Sequence, residues 1–262
     1  MFTYELHRQL NLGLFTVPTY AVFANIAFFV AVYFILTQVR KEKLETSHAL
    51  GITLAALVGM LFGAKILFFF GPYTWWDNYT LLERVLKVLQ VWGSGLVFYG
   101  GALGALAGMY IYGHIKKIKV TKYVDLFHLA LGLIIFISRI GCFFAGCCRG
   151  IATSVPWAII RDGVAIHATQ IYSSLNGLVM FFLAYHVYKN RKFEGQTTLF
   201  VLLYYSVTRY IIEHFRYAIL VGSKTTSQWI SLIVFTITLS IILYLYVFKK
   251  KNFFSLKKKS KK

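Results

Sequence analysis

The sequence predicts an all-α integral membrane protein of seven transmembrane helices, its amino terminus outside and its carboxyl terminus cytoplasmic. Three observations carry this. Of 262 residues, 58% are hydrophobic and 18% aromatic while only 14% are charged, far more apolar than a soluble domain. Apolar runs of about 20 residues recur along the chain, the length that a hydrocarbon core of about 30 Å requires. The lysines and arginines fall in short clusters after alternate runs, which is a topology signal. A net charge of +19 could otherwise point to nucleic acid, but the basic residues do not line one soluble face, so no nucleic-acid partner is expected.

The runs lie at about 18–39, 49–71, 94–113, 124–146, 170–188, 197–219 and 228–248. Arg40, Lys41 and Lys43 follow the first, Lys116, Lys117, Lys119 and Lys122 the third, and Lys189, Arg191 and Lys192 the fifth. Eight more lysines follow the seventh, which brings one side to eighteen basic residues. The other side holds seven: Arg8, Arg84, Lys87, Arg149, Arg161, Arg216 and Lys224. The positive-inside rule then sets the orientation, and an odd number of spans agrees with it. Residues 1–248 are expected to form the transmembrane domain, with small outside loops at 72–93 and 147–169, and 249–262 a basic cytoplasmic tail. That tail is a solvated anchor on the anionic inner leaflet, worth about 1 kcal/mol per basic residue near the surface. The first run is too long for a cleaved signal peptide, and its charges follow rather than precede it.

Taken in order, the spans carry two kinds of feature. Gly59 and Gly63 in the second, and Gly100, Gly104 and Gly108 in the third, recur at spacings that place them on one helix face, where backbones approach closely. Polar groups where packing has no use for them are the second kind: Tyr20 near the outer end of the first span, Lys65 in the second, Tyr99 in Phe-Tyr-Gly-Gly, and Arg139. Asp125 and His128 begin the fourth span and read as interfacial residues.

The stretch Ser138 to Gly150 stands out. An arginine near the centre of a membrane helix costs roughly 2.5–3.5 kcal/mol, so Arg139 marks a functional site. Gly141, Gly146 and Gly150 let the backbone turn and approach a ligand, and all three cysteines fall at Cys142, Cys147 and Cys148. Three readings of the thiols stay open: small apolar residues at a helix end, a disulfide that leaves one thiol over, or a metal site. The last is the weakest, because the spacing lacks Cys-x-x-Cys and a fourth ligand, and no metal is expected.

A loop containing Pro156, Trp157, Arg161 and Asp162 leads to His167-Ala168-Thr169-Gln170-Ile171-Tyr172, polar groups that enter the fifth span as if lining a wet cavity. The sixth span is the most informative. Tyr205, Arg209, Glu213 and Arg216 are spaced i, i+4, i+8 and i+11 and form one polar stripe. Glu213 can neutralise Arg209 and Arg216 within the helix. Positive charge is still left over, with Arg139 besides, and an anionic ligand would complete the balance; the planar arginine fork suits phosphate.

These residues also carry a resemblance. Arg139-Ile-Gly-Cys-Phe-Phe-Ala-Gly-Cys-Cys-Arg-Gly150 resembles the signature Arg-x-Gly-Asn-Phe-x-Asn-x-Glu-x-x-Gly of the prolipoprotein diacylglyceryl transferases, a bacterial inner-membrane family. Tyr99-Gly-Gly resembles that family's His-Gly-Gly, and His167 to Tyr172 its His-Pro-Ser-Gln-Leu-Tyr. Tyr205 to Arg216 resembles Tyr-x-x-x-Arg-Phe-x-x-Glu-x-Phe-Arg, and Pro18-Thr-Tyr20 the start of the first span. The order holds over nearly the whole chain.

The resemblance implies a multi-pass enzyme of the bacterial cytoplasmic (inner) membrane. It would move the diacylglyceryl group of phosphatidylglycerol to the lipobox cysteine thiol of a secreted prolipoprotein precursor, releasing glycerol phosphate, with no cofactor. Carried over by position, Arg139 would bind the lipid head, Arg209 stabilise the departing phosphate and Glu213 orient both. Tyr20, Gly141, Gly150, Gln170, Tyr205 and Arg216 would contact lipid. Where the family has histidine before Gly-Gly this chain has Tyr99, and where it has asparagine and glutamate it has Cys142 and Cys147. Tyrosine, with a pKa near 10, is a poor base at neutral pH, so His167 takes the thiol proton or Tyr99 only donates a hydrogen bond. Two other classes remain open: a cysteine-dependent phospholipid acyltransferase working through a thioester, and a non-catalytic lipid or anion transporter.

Overall fold

A computed structural model of the chain describes residues 2–3, 8–11, 13, 16–70, 79–89, 98–217, 220–221 and 223–259; the side chains at 2–3, 87–89, 98–99, 220–221 and 248–259 lie outside the description. Among the described residues eight helices make the architecture: α1 (Thr19–Lys41), α2 (Thr46–Phe69), α3 (Leu81–Leu89), α4 (Phe98–Lys116), α5 (Thr121–Ala145), α6 (Thr169–Lys189), α7 (Gln196–Glu213) and α8 (Thr226–Lys259). Among the described residues, four stretches are long and apolar enough to cross a membrane: α1, α2, α5 and residues Thr226–Val247 of α8. The chain divides into two compact units, 36–124 and the combination of 1–35 with 125–262.

In the unit 36–124, the glycines do what their spacing predicts. A Cβ on Gly59 or Gly63 would run into the carbonyl oxygens of Gly104 or Gly100, and one on Gly108 into that of Ala55. Only glycine lets α2 and α4 lie this close, and dispersion between the two backbones is what holds such a pair together. At one end of this pair His48 Nδ1 lies 3.4 Å from the Tyr112 hydroxyl. Helix α3 opens with a reciprocal cap. Thr80 N donates to Glu83 Oε2 at 2.8 Å while Glu83 N donates to Thr80 Oγ1 at 3.4 Å, which satisfies two of the four amides a helix start leaves without partners.

In the other unit, neighbouring helices are joined pairwise. Phe23 of α1 stacks on Phe144 of α5 with centroids 5.8 Å apart, and a side chain at Gly141 would collide with Phe23. Between α5 and α6, Gly132 meets Gly177 and Ser174 Oγ donates to Phe136 O at 2.8 Å. Asn176 of α6 donates to Thr208 Oγ1 and accepts from the Tyr204 hydroxyl of α7, both at 3.0 Å. Asp125, only 1% exposed, solves a problem at the start of α7. The residue before that helix is Gly195, with φ of 91° and no side chain to cap with. Asp125 supplies the cap from α5, accepting Gly195 N at 2.8 Å, Thr198 N at 2.9 Å and Thr198 Oγ1 at 2.7 Å. It is therefore a buried structural carboxylate, which its place at the start of an apolar run does not reveal.

Short strands fill the connections. β1 (Phe2–Thr3) lies parallel to β4 (Ile159–Arg161), which pairs antiparallel with β5 (Val164–Ile166). The β4–β5 turn is Asp162-Gly163 with φ of 52° and 78°, as the tightest hairpin requires at both central positions. β2 (Gln9–Asn11) pairs with β3 (Thr16–Pro18), and β6 (Leu220–Val221) with β7 (Lys224–Thr225). Isolated bridges join Gly150 to Arg216 and Ala152 to Ile166, so the segment after α5 is laced to both the end of α7 and the hairpin.

Candidate active site

The helical period places Tyr205, Arg209 and Glu213 on one face of α7. Glu213 is 3% exposed. Its Oε2 lies 2.7 Å from Arg209 Nη2 and 3.5 Å from Arg216 Nη1, and its Oε1 accepts from Thr225 Oγ1 at 3.3 Å. Arg209 Nη2 also donates to Ser227 Oγ of α8 at 3.2 Å. The internal ion pairs expected from the spacing are thus present. Charge this deep is tolerable only when paired and hydrogen-bonded.

Arg139 of α5 meets this stripe. Arg139, Ser173, Asn176, Tyr205 and Arg209, with Ile135 and Ile212, line one small cleft. Arg209 and Arg216 pair with Glu213, and Arg139 shares the cleft lining with Arg209, so two guanidiniums from different helices open on it. The cleft combines cationic forks with aliphatic walls, which is the chemistry of an anionic head on an apolar body. Ser173 and Asn176 were not singled out in the sequence, although they follow Gln170 at three-residue steps and so continue its face of α6.

The loop after α5 is fixed from three directions. Gly146 and Cys148 both take left-handed φ, 69° and 59°. Arg161 Nη1 donates to the carbonyl of Gly146, Gln170 Nε2 to that of Cys147 at 2.6 Å, and Thr169 Oγ1 to that of Cys148 at 2.8 Å. Gln170 is wholly buried and Arg161 nearly so. The result delivers Cys148 to the arginines: its Sγ receives Arg216 Nη2 at 3.3 Å and Arg139 Nη1 at 3.6 Å. Hydrogen bonds from the Cys142 and Cys147 thiols, with the charges of Arg216 and Arg139, hold the Cys148 thiol below its ordinary pKa. The sequence grouped Cys148 with Cys142 and Cys147, but nothing in it placed this thiol against the arginines.

The remaining expected site residues fall into different surroundings. Gly150 pairs with Arg216, and a Cβ on it would strike the main chain of His167, so close approach of two backbones explains the glycine. His167 Nδ1 lies 3.1 Å from the Tyr172 hydroxyl, which accepts from Trp157 Nε1 at 2.9 Å, and the imidazole packs on Phe215 with centroids 5.0 Å apart. It is held in an aromatic setting outside the cleft lining. Gly141 faces Phe23, and Tyr20 opens α1 with 46% of its surface exposed. Tyr99 lies in the first turn of α4, in the other unit, and its side chain is outside the described residues.

Comparison with known proteins identifies a family. The family description for prolipoprotein diacylglyceryl transferases matches residues 8–244. The phosphatidylglycerol–prolipoprotein diacylglyceryl transferase of Finegoldia magna is 32% identical over 195 residues, 74% of this chain and 77% of that protein. Those of Clostridioides difficile and Clostridium tetani are each 31% identical, over 216 and 243 residues; the matches cover 82% and 88% of this chain and 84% and 94% of the relatives.

Proposed function

The chain belongs to the prolipoprotein diacylglyceryl transferase family, and on that premise we propose that Arg139 and Arg209 grip the phosphate of one phosphatidylglycerol in the cleft between α5, α6 and α7. The protein is a membrane transferase of lipoprotein biosynthesis: it moves the diacylglyceryl group of phosphatidylglycerol to a prolipoprotein. The observation that carries the site assignment is the shared cleft, with two guanidiniums from different helices beside aliphatic walls.

The acceptor is the lipobox cysteine thiol. Its sulfur attacks the glyceryl carbon next to the phosphate ester, the carbon–oxygen bond breaks with its electron pair on oxygen, and glycerol phosphate leaves. Negative charge builds on the departing phosphate, and preformed donors aimed there are usually the largest catalytic contribution. Arg139 binds the head and Arg209 meets the growing charge, while Glu213 holds Arg209 and Arg216 in position. Tyr205 and Arg216 border the head group and the exposed Tyr20 meets lipid, while Gly141, Gly150 and Gln170 act from inside, by packing and by holding the loop after α5. The thiol must lose its proton. With Nδ1–H donating to Tyr172, His167 keeps a lone pair on Nε2 and can serve as the base.

Among the described residues, the seven helices of 18 or more residues, α1, α2 and α4 to α8, act as the seven spans, with the amino terminus outside, the basic tail 249–262 in the cytoplasm and the bacterial inner membrane as the location. The clustering of basic residues supports this orientation. The deciding experiment incubates purified protein with labelled phosphatidylglycerol and a lipobox peptide. Release of glycerol phosphate with a diacylglyceryl thioether on the peptide is expected; a lysophospholipid product would instead establish acyl transfer.

A further inference from the structure

The three thiols have no part in the transfer just described, yet the fold gathers them. The Sγ atoms of Cys142, Cys147 and Cys148 all lie within 4.8 Å of one another, and none of the three is in a disulfide. Three sulfurs around one ion, at metal–sulfur bonds of about 2.3 Å, stand about 4 Å apart, so the observed spacing needs only small rotations to close on a metal.

The scaffold is rigid where a metal site needs it to be. Cys142 is on the last turn of α5, and Cys147 N donates to its carbonyl at 3.2 Å, which sets the two residues one above the other. Cys148 holds a left-handed φ of 59° without being glycine, a conformation that persists only where the surroundings over-determine it. Here those surroundings are side chains of Arg161, Gln170 and Thr169, each bonded to one of three successive carbonyls. Two guanidiniums already point at Cys148 Sγ, as a cluster of thiolates would require for charge balance.

We propose that Cys142, Cys147 and Cys148 form a three-coordinate thiolate site for copper(I). Thiolates select soft ions. Among the described residues no histidine, aspartate or glutamate joins the cluster, so the fourth protein ligand of a structural zinc site is missing. Charge points the same way: three thiolates are balanced by one monovalent cation together with Arg139 and Arg216, whereas a divalent ion leaves an excess. Each thiol releases its proton to water as its sulfur binds. The site is a property of this chain beyond diacylglyceryl transfer and does not rest on that reading.

The test uses the full chain in detergent, reduced and free of oxygen, titrated with copper(I) against a chromophoric copper(I) chelator. One equivalent per chain should be withdrawn from the chelator, with sulfur-to-copper absorption appearing in the ultraviolet. Cys142→Ser, Cys147→Ser and Cys148→Ser should each weaken binding by more than the roughly 10–100-fold that changes around a ligand cost, and the triple variant should abolish it. No uptake by the native chain, or equal uptake by the triple variant, overturns the proposal. If the variants fail to fold, X-ray absorption of the copper-loaded native protein decides: three sulfur neighbours support the site, nitrogen or oxygen neighbours overturn it.

Discussion

Arg209 Nη2 stands 2.7 Å from Oε2 of Glu213, one turn further along the same helix, and that carboxylate also meets Arg216 at 3.5 Å. One buried anion thus pairs with two guanidiniums and orients them. Glu213→Gln retains the shape and removes the charge. Breaking a buried pair by deleting one partner costs about 3–5 kcal/mol, so the variant should melt at markedly lower temperature and lose transfer activity. An unchanged thermal transition with normal turnover would remove Glu213 from the positioning role.

Arg139 and Arg209 come from different helices and open on one cleft. Arg139→Ala or Arg209→Ala should lower turnover by about 10²–10³-fold, the cost of removing one donor to developing charge, while the protein still inserts and folds. Lysine should rescue poorly, because a point charge does not reproduce a bidentate fork. Near-normal release of glycerol phosphate by both alanine variants would refute the mechanism.

Asp125 is a separate case, since its three hydrogen bonds serve the start of α7 and not the cleft. Asp125→Ala should destabilise by about 2 kcal/mol or more, the upper range for a lost cap, with the Michaelis constant for lipid unaltered in the folded fraction. A raised Michaelis constant at unchanged stability would place Asp125 in substrate binding.

Attack of a protein cysteine on the glyceryl carbon would leave a thioether, which no ordinary nucleophile displaces, and the enzyme would stop after one turnover. A thioester formed by acyl transfer could be cleaved again. Intact-protein mass spectrometry after exposure to phospholipid should therefore find no adduct on Cys142, Cys147 or Cys148. An acyl adduct that chases into product would establish the acyltransferase chemistry.

The orientation is tested by labelling Thr80→Cys and Lys119→Cys in a chain without native cysteines. A membrane-impermeant thiol reagent should reach position 80 in intact cells and position 119 only after the inner face is opened. The reverse pattern would invert the topology.

The sequence by itself determined the membrane class, because hydrocarbon thickness and apolar run length need no tertiary information. It also determined whatever repeats along a single element. The Arg209–Glu213–Arg216 pairing follows from the helical period, and glycines spaced four apart mark the faces of α2 and α4 on which a backbone can come close. The Thr80 to Glu83 cap and the Asp162-Gly163 turn are equally local signals. Tertiary structure alone decided the rest. Asp125 caps a helix whose first bonded amide is 70 residues away. Arg139 shares a cleft with Arg209, and Cys148, unremarkable in the motif, receives both Arg139 and Arg216. Periodicity fixes which side chains share a face, but not which face of another helix they meet; that depends on how close two backbones come and on where buried charges find partners.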